Sequence, residues 1–203
     1  MWRGGTAAFA GAVIGSLGDF SRRVWLADSF AGLPKGLYTG VDDTVRWEDM
    51  SVLAVSLEDV TANVAAVGAP LPAANFRFVR GFFNDSMSRL RAAEGDAVGL
   101  EKLAVLRMDG DTWESAMDIL YSLYDRLAVG GFLIVDDGNL PPRQVVGDFL
   151  AHHGVVEELR EIDGDGFWLQ KTRSFAVDRA FYWQEMAAKV GRTPPPRESA
   201  YWG

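Results

Sequence analysis

The chain has 203 residues, of which 48% are hydrophobic, and a formal net charge of −8. This length is enough for one domain with a substantial core and is short for two. The negative charge argues against nucleic acid and against an anionic membrane surface as partners, because both would be repelled at long range. We therefore expect a single acidic globular domain.

The sequence contains no cysteine and only two histidines, His152 and His153. The absence of cysteine excludes disulfides, thiolate metal sites and cysteine nucleophiles, and it fits a cytoplasmic protein. The two histidines follow a helical pattern, and we expect them to face solvent at the end of that helix. No apolar run approaches the roughly 20 residues needed to cross a bilayer.

Strand and helix patterns alternate along the first half of the chain. The glycine-led stretch at 4–17 is predicted to be a helix and not a secretory signal, because it has a single positive charge and no clear cleavage site. RRVWLAD predicts a short buried strand that ends at Asp28, and residues 35–50 are polar and irregular. A helix is predicted over 53–67 with Ser56 as its N-cap, and NFRFVRG has the character of a strand.

The second half continues this alternation. LAVLRMD (103–109) and GGFLIVDD (130–137) predict two buried strands, and the apolar residues between them, out to Leu127, recur at helical spacing with Thr112 or Asp111 as the cap. PPRQVVGDFLAHHG predicts another helix, and the following DGDG turn closes a hairpin. The predicted fold class is α/β, a doubly wound, Rossmann-like sheet that ends in an antiparallel hairpin.

Aspartates follow the predicted strands, at the edge of the sheet where ligands bind. Asp109 and the Asp136–Asp137 pair come from neighbouring strands, so their oxygens could converge on one hard cation, Mg²⁺ or Ca²⁺. Asp111 would then be free to act as the general base. The alternative is structural, because aspartate at a strand end often caps a helix or forms a turn. Spacing alone favours neither interpretation.

Asp28 has a separate interpretation as a cofactor contact. An acidic residue at the end of a strand can accept hydrogen bonds from ribose hydroxyls, and Gly4 and Gly5 would let the backbone approach a cofactor closely. A turn role is the alternative. The sequence has no GxGxxG, GxxxxGK[ST] or GxSxG motif, so nicotinamide, P-loop and serine-hydrolase functions lack their signatures.

Six stretches are recognisable together. In chain order they are WRGG (2–5), ADSFAGLP (27–34), LAVSLEDVTAN (53–63), GFFNDS (81–86), LRMDGDTWESAMDIL (106–120) and GGFLIVDDG (130–138). They resemble the macrocin O-methyltransferase (TylF-like) family, the S-adenosylmethionine-dependent sugar O-methyltransferases of antibiotic biosynthesis. The resemblance implies a class I methyltransferase domain over 1–172, followed by a C-terminal helix and a proline-rich tail over 173–203, and it implies a small-molecule glycoside as the substrate.

The resemblance also implies a role for individual residues. Mg²⁺ would be held by Asp109, Asp136 and Asp137, and Asp111 would be the general base. The implied cofactor-binding residues are Trp2, Arg3, Gly4, Gly5, Asp28, Ser29, Gly81 and Asp85. In the implied reaction the metal lowers the pKa of a sugar hydroxyl, Asp111 removes its proton, and the alkoxide attacks the methyl group of S-adenosylmethionine in line.

One departure from the family concerns the start of the chain. Family members carry a strand directly before WRGG, usually ending in Glu-x-Gly-Val, which lies centrally in the sheet. Here Met1 stands at that point. We therefore expect the strand ending at Asp28 to lack a neighbour toward the strand ending at Asp109. One hypothesis is that a valine codon was read as the start.

Two alternative functions stay open. DGDT at 109–112 imitates the DxDxT motif of haloacid-dehalogenase-like phosphatases, although the 27 positions from Asp109 to Asp136 leave little room for the other elements of that family. The short start favours a non-catalytic remnant that binds only cofactor or metal. The predicted C-terminal helix could pack on the domain, pack on a second subunit to give a homo-oligomer, or belong to a loose tail.

Overall fold

The computed structural model describes residues 2–34, 51–68, 70–92, 99–139 and 141–194, so the predicted irregular segment 35–50 and most of the proline-rich tail lie outside it. The helices in these ranges are α1 (Gly5–Ser16), α2 (Leu57–Ala66), α3 (Phe83–Ala92), α4 (Trp113–Leu123), α5 (Pro141–His152) and α6 (Arg179–Val190). The strands are β1 (Val24–Asp28), β2 (Phe76–Arg80), β3 (Leu103–Met108), β4 (Leu127–Val135), β5 (Arg160–Glu161) and β6 (Phe167–Gln170). None of the described helices has the length and apolar character required to span a bilayer.

The strands form two separate sheets. β1 pairs in parallel with β2, while β3 pairs in parallel with β4, which continues into the antiparallel strands β6 and β5. Within the described ranges β1 and β3 do not pair with each other, which confirms that the strand ending at Asp28 lacks a neighbour on this side. Val105, in the middle of β3, is 50% exposed. We refer to the two parts of the molecule as the β1–β2 half and the β3–β6 half.

The helix α3 joins the two halves. It packs against β1, β2 and α4. Arg23, just before β1, also donates a hydrogen bond to the carbonyl of Gly99, just before β3, at 3.4 Å. Sequence patterns missed α3, because its apolar face is short and its buried apolar side chains are only Met87 and Leu90. With β1 and β3 starting near each other, their carboxyl ends line the same cavity.

The larger core lies in the β3–β6 half and is centred on α4. All 11 residues of α4 are buried, since α3, α5 and α6 pack around it. Leu120 of α4 shares this core with Leu133 and Leu169 from the sheet, and none of the three has any exposed surface. A smaller core in the β1–β2 half contains Leu26 and Val60.

Local signals place the helix starts as predicted. Ser56 caps α2 by accepting a hydrogen bond from the backbone N–H of Asp59 at 3.0 Å, and Thr112 caps α4 by accepting from that of Ser115 at 3.2 Å. The predicted extent of α4 was wrong at its other end, because Leu127 is the first residue of β4. The hairpin is confirmed as β5 and β6.

The C-terminal helix is confirmed as α6, and it packs on the domain. His152 and Asp178 pair at 3.0 Å, and the ring of His153 accepts a hydrogen bond from the backbone N–H of Asp178 at 2.9 Å. The expectation that both histidines face solvent at the end of the helix is confirmed for His152, which is exposed, whereas His153 is half-buried. The ring nitrogens of both also join the end of α5 to the start of α6. Arg179 of α6 pairs with Asp125 at 2.6 Å.

Candidate active site

A cavity of about 610 Å³ opens at the carboxyl ends of β1, β3 and β4. Its volume is in the range of small-molecule sites. The β1–β2 half and the loop before α3 contribute Trp2, Arg3, Gly5, Asp28, Ser29, Phe82, Phe83 and Asn84. The β3–β6 half and the segment after α6 contribute Arg107, Asp109, Asp111, Glu114, Ser115, Asp118, Asp136, Asp137 and Arg192. The cavity therefore spans both halves of the molecule.

Three carboxylates in this cavity lie close enough to share one ion. One oxygen from each of Asp109, Asp111 and Asp137 lies within 4.8 Å of the other two. We refer to these three residues as the acid cluster. The set predicted from sequence contained Asp136 in place of Asp111. Asp136 lies beside the cluster and forms an ion pair with Arg107, which also pairs with Asp109.

The backbone after β3 and β4 orients two members of the acid cluster. Asp111 and Asp137 both adopt positive φ, at 58° and 55°. Few residues other than glycine adopt this conformation, and aspartate is among those that tolerate it best. Gly110 allows the close turn, because a Cβ added there would lie 2.8 Å from the Cβ of Ser115. Thr112, and not Asp111, is the N-cap of α4, so Asp111 does not serve as the helix cap.

Burial and mutual repulsion favour protons on Asp111 and Asp137 of the acid cluster. Burial, followed by the adjacent Asp111 carboxyl group, raises the pKa of Asp137 to about 7. Burial also raises the pKa of Asp111, and the carboxyl groups of Asp111 and Asp137 form a hydrogen bond with each other. For Asp109, burial raises the pKa, but nearby positive charges, including Arg107, outweigh that effect and lower it. The cluster is thus a place where a bound cation would relieve repulsion.

The donor set of the acid cluster fits a hard divalent cation. Carboxylate oxygens are the ligands that Mg²⁺ and Ca²⁺ prefer, whereas zinc sites usually need imidazole or thiolate. Oδ2 of Asp137 is buried and has no hydrogen-bond partner in the part of the chain that the structure describes. A buried carboxylate oxygen without a partner is unfavourable, and a coordinated cation would satisfy it.

Five of the eight predicted cofactor-binding residues line the cavity. They are Trp2, Arg3, Gly5, Asp28 and Ser29. The indole of Trp2 donates to the carbonyl of Val52 at 2.9 Å, and Arg3 lies over its ring at 4.8 Å. Asp28 accepts a hydrogen bond from the backbone N–H of Phe30 at 2.9 Å. Asp28 therefore has the turn role considered as its alternative, and it also borders the cavity.

The other three predicted cofactor-binding residues lie outside the cavity wall. Gly4 packs against α2, where an added Cβ would lie 3.1 Å from a methyl group of Val60. Gly81 and Asp85 lie at the start of α3, and the Asp85 side chain is 71% exposed. The structure thus does not bring these three to the cavity.

Sequence patterns missed several residues that line the cavity. They are Arg107, Glu114, Ser115, Asp118 and Arg192. Glu114 and Asp118 are buried charged residues four positions apart, so helical spacing could have placed them on one side of α4. Arg192 had no such signal, because its position depends on how α6 packs.

The fold and the cavity together define a Rossmann-like α/β protein with a cavity at the carboxyl ends of its strands, where proteins of this class bind ligands. The family model for Macrocin-O-methyltransferase (TylF) matches residues 1–171. The chain therefore belongs to the macrocin O-methyltransferase family, which confirms the resemblance seen in the sequence.

Named relatives agree with this assignment. The chain is 42% identical over 173 residues to the 8-demethyl-8-(2,3-dimethoxy-alpha-L-rhamnosyl)-tetracenomycin-C 4'-O-methyltransferase of Streptomyces olivaceus. This match covers 83% of this chain and 62% of that protein. It is 36% identical over 178 residues to the demethyldecarbamoylnovobiocin O-methyltransferase of Streptomyces niveus, covering 85% of this chain and 64% of that protein. The solved structure of the O-methyltransferase NovP superposes with a TM-score of 0.75 at 35% identity, covering 85% of this chain and 69% of the other. The chain spans less than two thirds of the length of these two curated relatives. The superposition with NovP confirms the predicted fold class.

Proposed function

We propose that this chain is an S-adenosylmethionine- and Mg²⁺-dependent O-methyltransferase that acts on a sugar hydroxyl of a glycosylated natural product. The observation that carries the proposal is the acid cluster, which lies in a cavity that Asp28 also lines, in a member of this family. The names of the relatives support transfer of a methyl group to oxygen. Family membership gives no support to the phosphatase alternative.

Asp109 and Asp137 would hold the cation, because they belong both to the predicted metal set and to the acid cluster, and Asp136 lies beside them. When bound, Mg²⁺ supplies a Lewis acid that lowers the pKa of a sugar hydroxyl, and S-adenosylmethionine supplies the methyl group. Asp28, with Trp2 and Arg3, would bind the cofactor at the β1 end of the cavity.

Asp111 would serve as the general base. Its carboxylate lies in the acid cluster, and burial raises its pKa, which makes it a better proton acceptor near neutral pH than an exposed aspartate. It would accept the hydroxyl proton at a carboxylate oxygen. The buried start of α4 behind it, including Thr112 at 1% exposure, keeps its position fixed and limits access of water.

Methyl transfer to a panel of neutral glycosides tests this proposal. We expect the protein to methylate a glycoside only when both S-adenosylmethionine and Mg²⁺ are present, and a chelator should abolish the reaction. Asp111→Asn should still bind S-adenosylmethionine in calorimetry but turn over about 10²–10⁴ times more slowly. Asp148→Asn is the matched control, because Asp148 is an exposed aspartate on α5 away from this cavity, and it should retain the parent rate.

Three outcomes would contradict the proposal. Methylation by Asp111→Asn at the parent rate would remove its role as the base. Binding of cofactor and metal without any turnover would instead support the non-catalytic alternative. Release of phosphate from a phosphate ester without S-adenosylmethionine would support the phosphatase alternative.

A further inference from the structure

The cavity continues past the acid cluster along α4. Glu114 and Asp118 are four positions apart, which places them on one side of α4, and both line the cavity together with Asp111 from the turn before the helix. Four residues of helix correspond to about 6 Å, so Asp118 lies roughly one turn farther along α4 than Glu114. This wall belongs to the β3–β6 half, whereas the residues at the proposed cofactor end come from the β1–β2 half.

Arg192 reaches this wall from the segment after α6. Its Nη1 donates to Oδ2 of Asp118 at 3.2 Å, and its Nη2 pairs with Oδ1 of the same carboxylate. The hydroxyl of Tyr182 also donates to Oδ1 of Asp118, at 2.5 Å. Asp118 is only 3% exposed, so the pair is held in one orientation. The family match ends at residue 171, so Arg192 and Tyr182 come from outside the matched region.

A paired carboxylate and guanidinium suit a neutral ligand that carries several hydroxyl groups. A carboxylate only accepts hydrogen bonds and a guanidinium only donates them, while a sugar hydroxyl can do both. Among the described residues, Nη1 of Arg192 makes one hydrogen bond, to Asp118, so its second N–H can donate to a ligand oxygen. Because the two charges cancel, the pair gives no general attraction for ionic ligands.

We propose that the Asp118–Arg192 pair binds a hydroxyl group of the acceptor sugar other than the one that receives the methyl group. The segment after α6 then helps to determine which acceptor the protein uses. This inference rests on the proposed function, because it assigns the α4 wall of the cavity to the acceptor and leaves the β1 end to the cofactor.

Two matched arginine variants separate this role from a structural one. Arg192 and Arg179 both join the C-terminal segment to the domain through an ion pair, but only Arg192 lines the cavity. We expect Arg192→Met to raise KM for p-nitrophenyl α-L-rhamnopyranoside by about tenfold or more, as for loss of a hydrogen bond to a charged group. The kcat and the Kd for S-adenosylmethionine should change by no more than about twofold, and Arg192→Lys should give an intermediate KM. Arg179→Met should lower Tm and leave KM unchanged.

Deoxy analogues of the same glycoside identify the contact directly. One analogue lacks a hydroxyl group other than the one that receives the methyl group. The parent should bind this analogue about tenfold more weakly than the complete sugar, whereas Arg192→Met should bind both sugars equally. An equal rise in KM for the Arg192 and Arg179 variants, or an unchanged KM for Arg192→Met, would overturn the inference.

Failure of this inference can be told apart from failure of the proposed function. If the parent transfers no methyl group with S-adenosylmethionine and Mg²⁺, the proposed function fails. The pair is then tested by binding of the p-nitrophenyl rhamnoside, measured by calorimetry. Binding that Arg192→Met weakens while Arg179→Met preserves supports the pair, and absent binding, or binding that Arg192→Met does not change, overturns it.

Discussion

The two halves of the molecule hold their parts of the cavity in different ways. In the β3–β6 half the carboxylates lie at the ends of strands from a continuous core and at the start of a fully buried helix. In the β1–β2 half the core is small, and α1 leaves Phe9 and Leu17 71% and 77% exposed. Ser29 donates there to the carbonyl of Gly32, and Asp28 ends a two-stranded sheet and accepts a hydrogen bond from the backbone N–H of Phe30 in the same turn.

Under the proposed function, this difference would separate two physical tasks. Proton removal and cation binding would use side chains that a buried helix and strand ends hold in fixed positions. Cofactor binding would use turn residues that lie over the smaller core. A ligand that spans the cavity would contact both halves and stabilise them together by mass action.

The largest expected effect comes from removing one leucine from each core. Leu133 of β4 is completely buried, and Leu26 of β1 is 2% exposed. We expect Leu133→Ala to lower the free energy of unfolding by about 3–5 kcal/mol. Leu26→Ala should lower it by about 2 kcal/mol, because a small core relaxes more easily around the space left by the missing side chain. Urea unfolding measures both losses, and hydrogen exchange should show that Leu26→Ala accelerates exchange mainly in β1 and β2. Equal losses with the same exchange pattern would show that the halves behave as one unit.

The second effect concerns pH and divalent cations in the β3–β6 half. The pKa of Asp137 is raised to about 7, so in the ion-free folded protein this group keeps its proton while the unfolded chain has lost it. The folded state then binds more protons between about pH 4 and pH 7, and this contribution to stability falls as pH rises through that window. A bound cation requires the ionised carboxylate, so its stabilising effect grows over the same window.

We therefore expect Mg²⁺ to raise Tm more at about pH 8 than at about pH 5.5. At one hundred times Kd the stabilisation would be about 2.7 kcal/mol. Asp137→Asn should reduce the Mg²⁺ effect at the higher pH, while Asp163→Asn, in the exposed hairpin turn, should not. A Tm shift of the same size at both pH values would argue against a cation in the acid cluster.

Much of the β3–β6 half could be predicted from the sequence because its signals are local. An apolar run ending in aspartate marks β3, and Thr112 before a helical apolar pattern marks the start of α4. Asp109 and Asp137 were placed together correctly, since the carboxyl ends of adjacent parallel strands meet at one edge of a sheet. The absence of pairing between β1 and β3 in the described residues was predicted from the resemblance to the family. No local sequence pattern indicated it.

The remaining parts of the site depend on contacts between residues distant in the chain. Arg107 pairs with both Asp109 and Asp136, and the acid cluster contains Asp111 and not Asp136. Arg192 enters the cavity only because α6 packs against α4. Gly81 and Asp85 belong to a stretch that resembles the family, but they lie at the start of α3, a helix whose short apolar face gave no clear pattern.

The smallest expected effect compares one helix cap from each half. Ser56→Ala should lower the free energy of unfolding by about 1 kcal/mol, because it removes two partly exposed hydrogen bonds at the cap of α2, one accepted from the N–H and one donated to the carboxylate of Asp59. Thr112→Ala should cost somewhat more, up to about 2 kcal/mol, since its two hydrogen bonds to Ser115 are buried. Urea unfolding measures both changes.

The two caps should differ more clearly in activity than in stability. Thr112 directly follows Asp111, so loss of its hydrogen bonds would release the turn that orients the proposed base, whereas Ser56 caps a helix in the other half. We expect Thr112→Ala to slow methyl transfer and weaken the Mg²⁺-dependent rise in Tm, and Thr112→Ser, which keeps the capping hydroxyl, to restore both. If Ser56→Ala slowed methyl transfer as much as Thr112→Ala, the fixed position of Asp111 would not depend on the local structure at the start of α4.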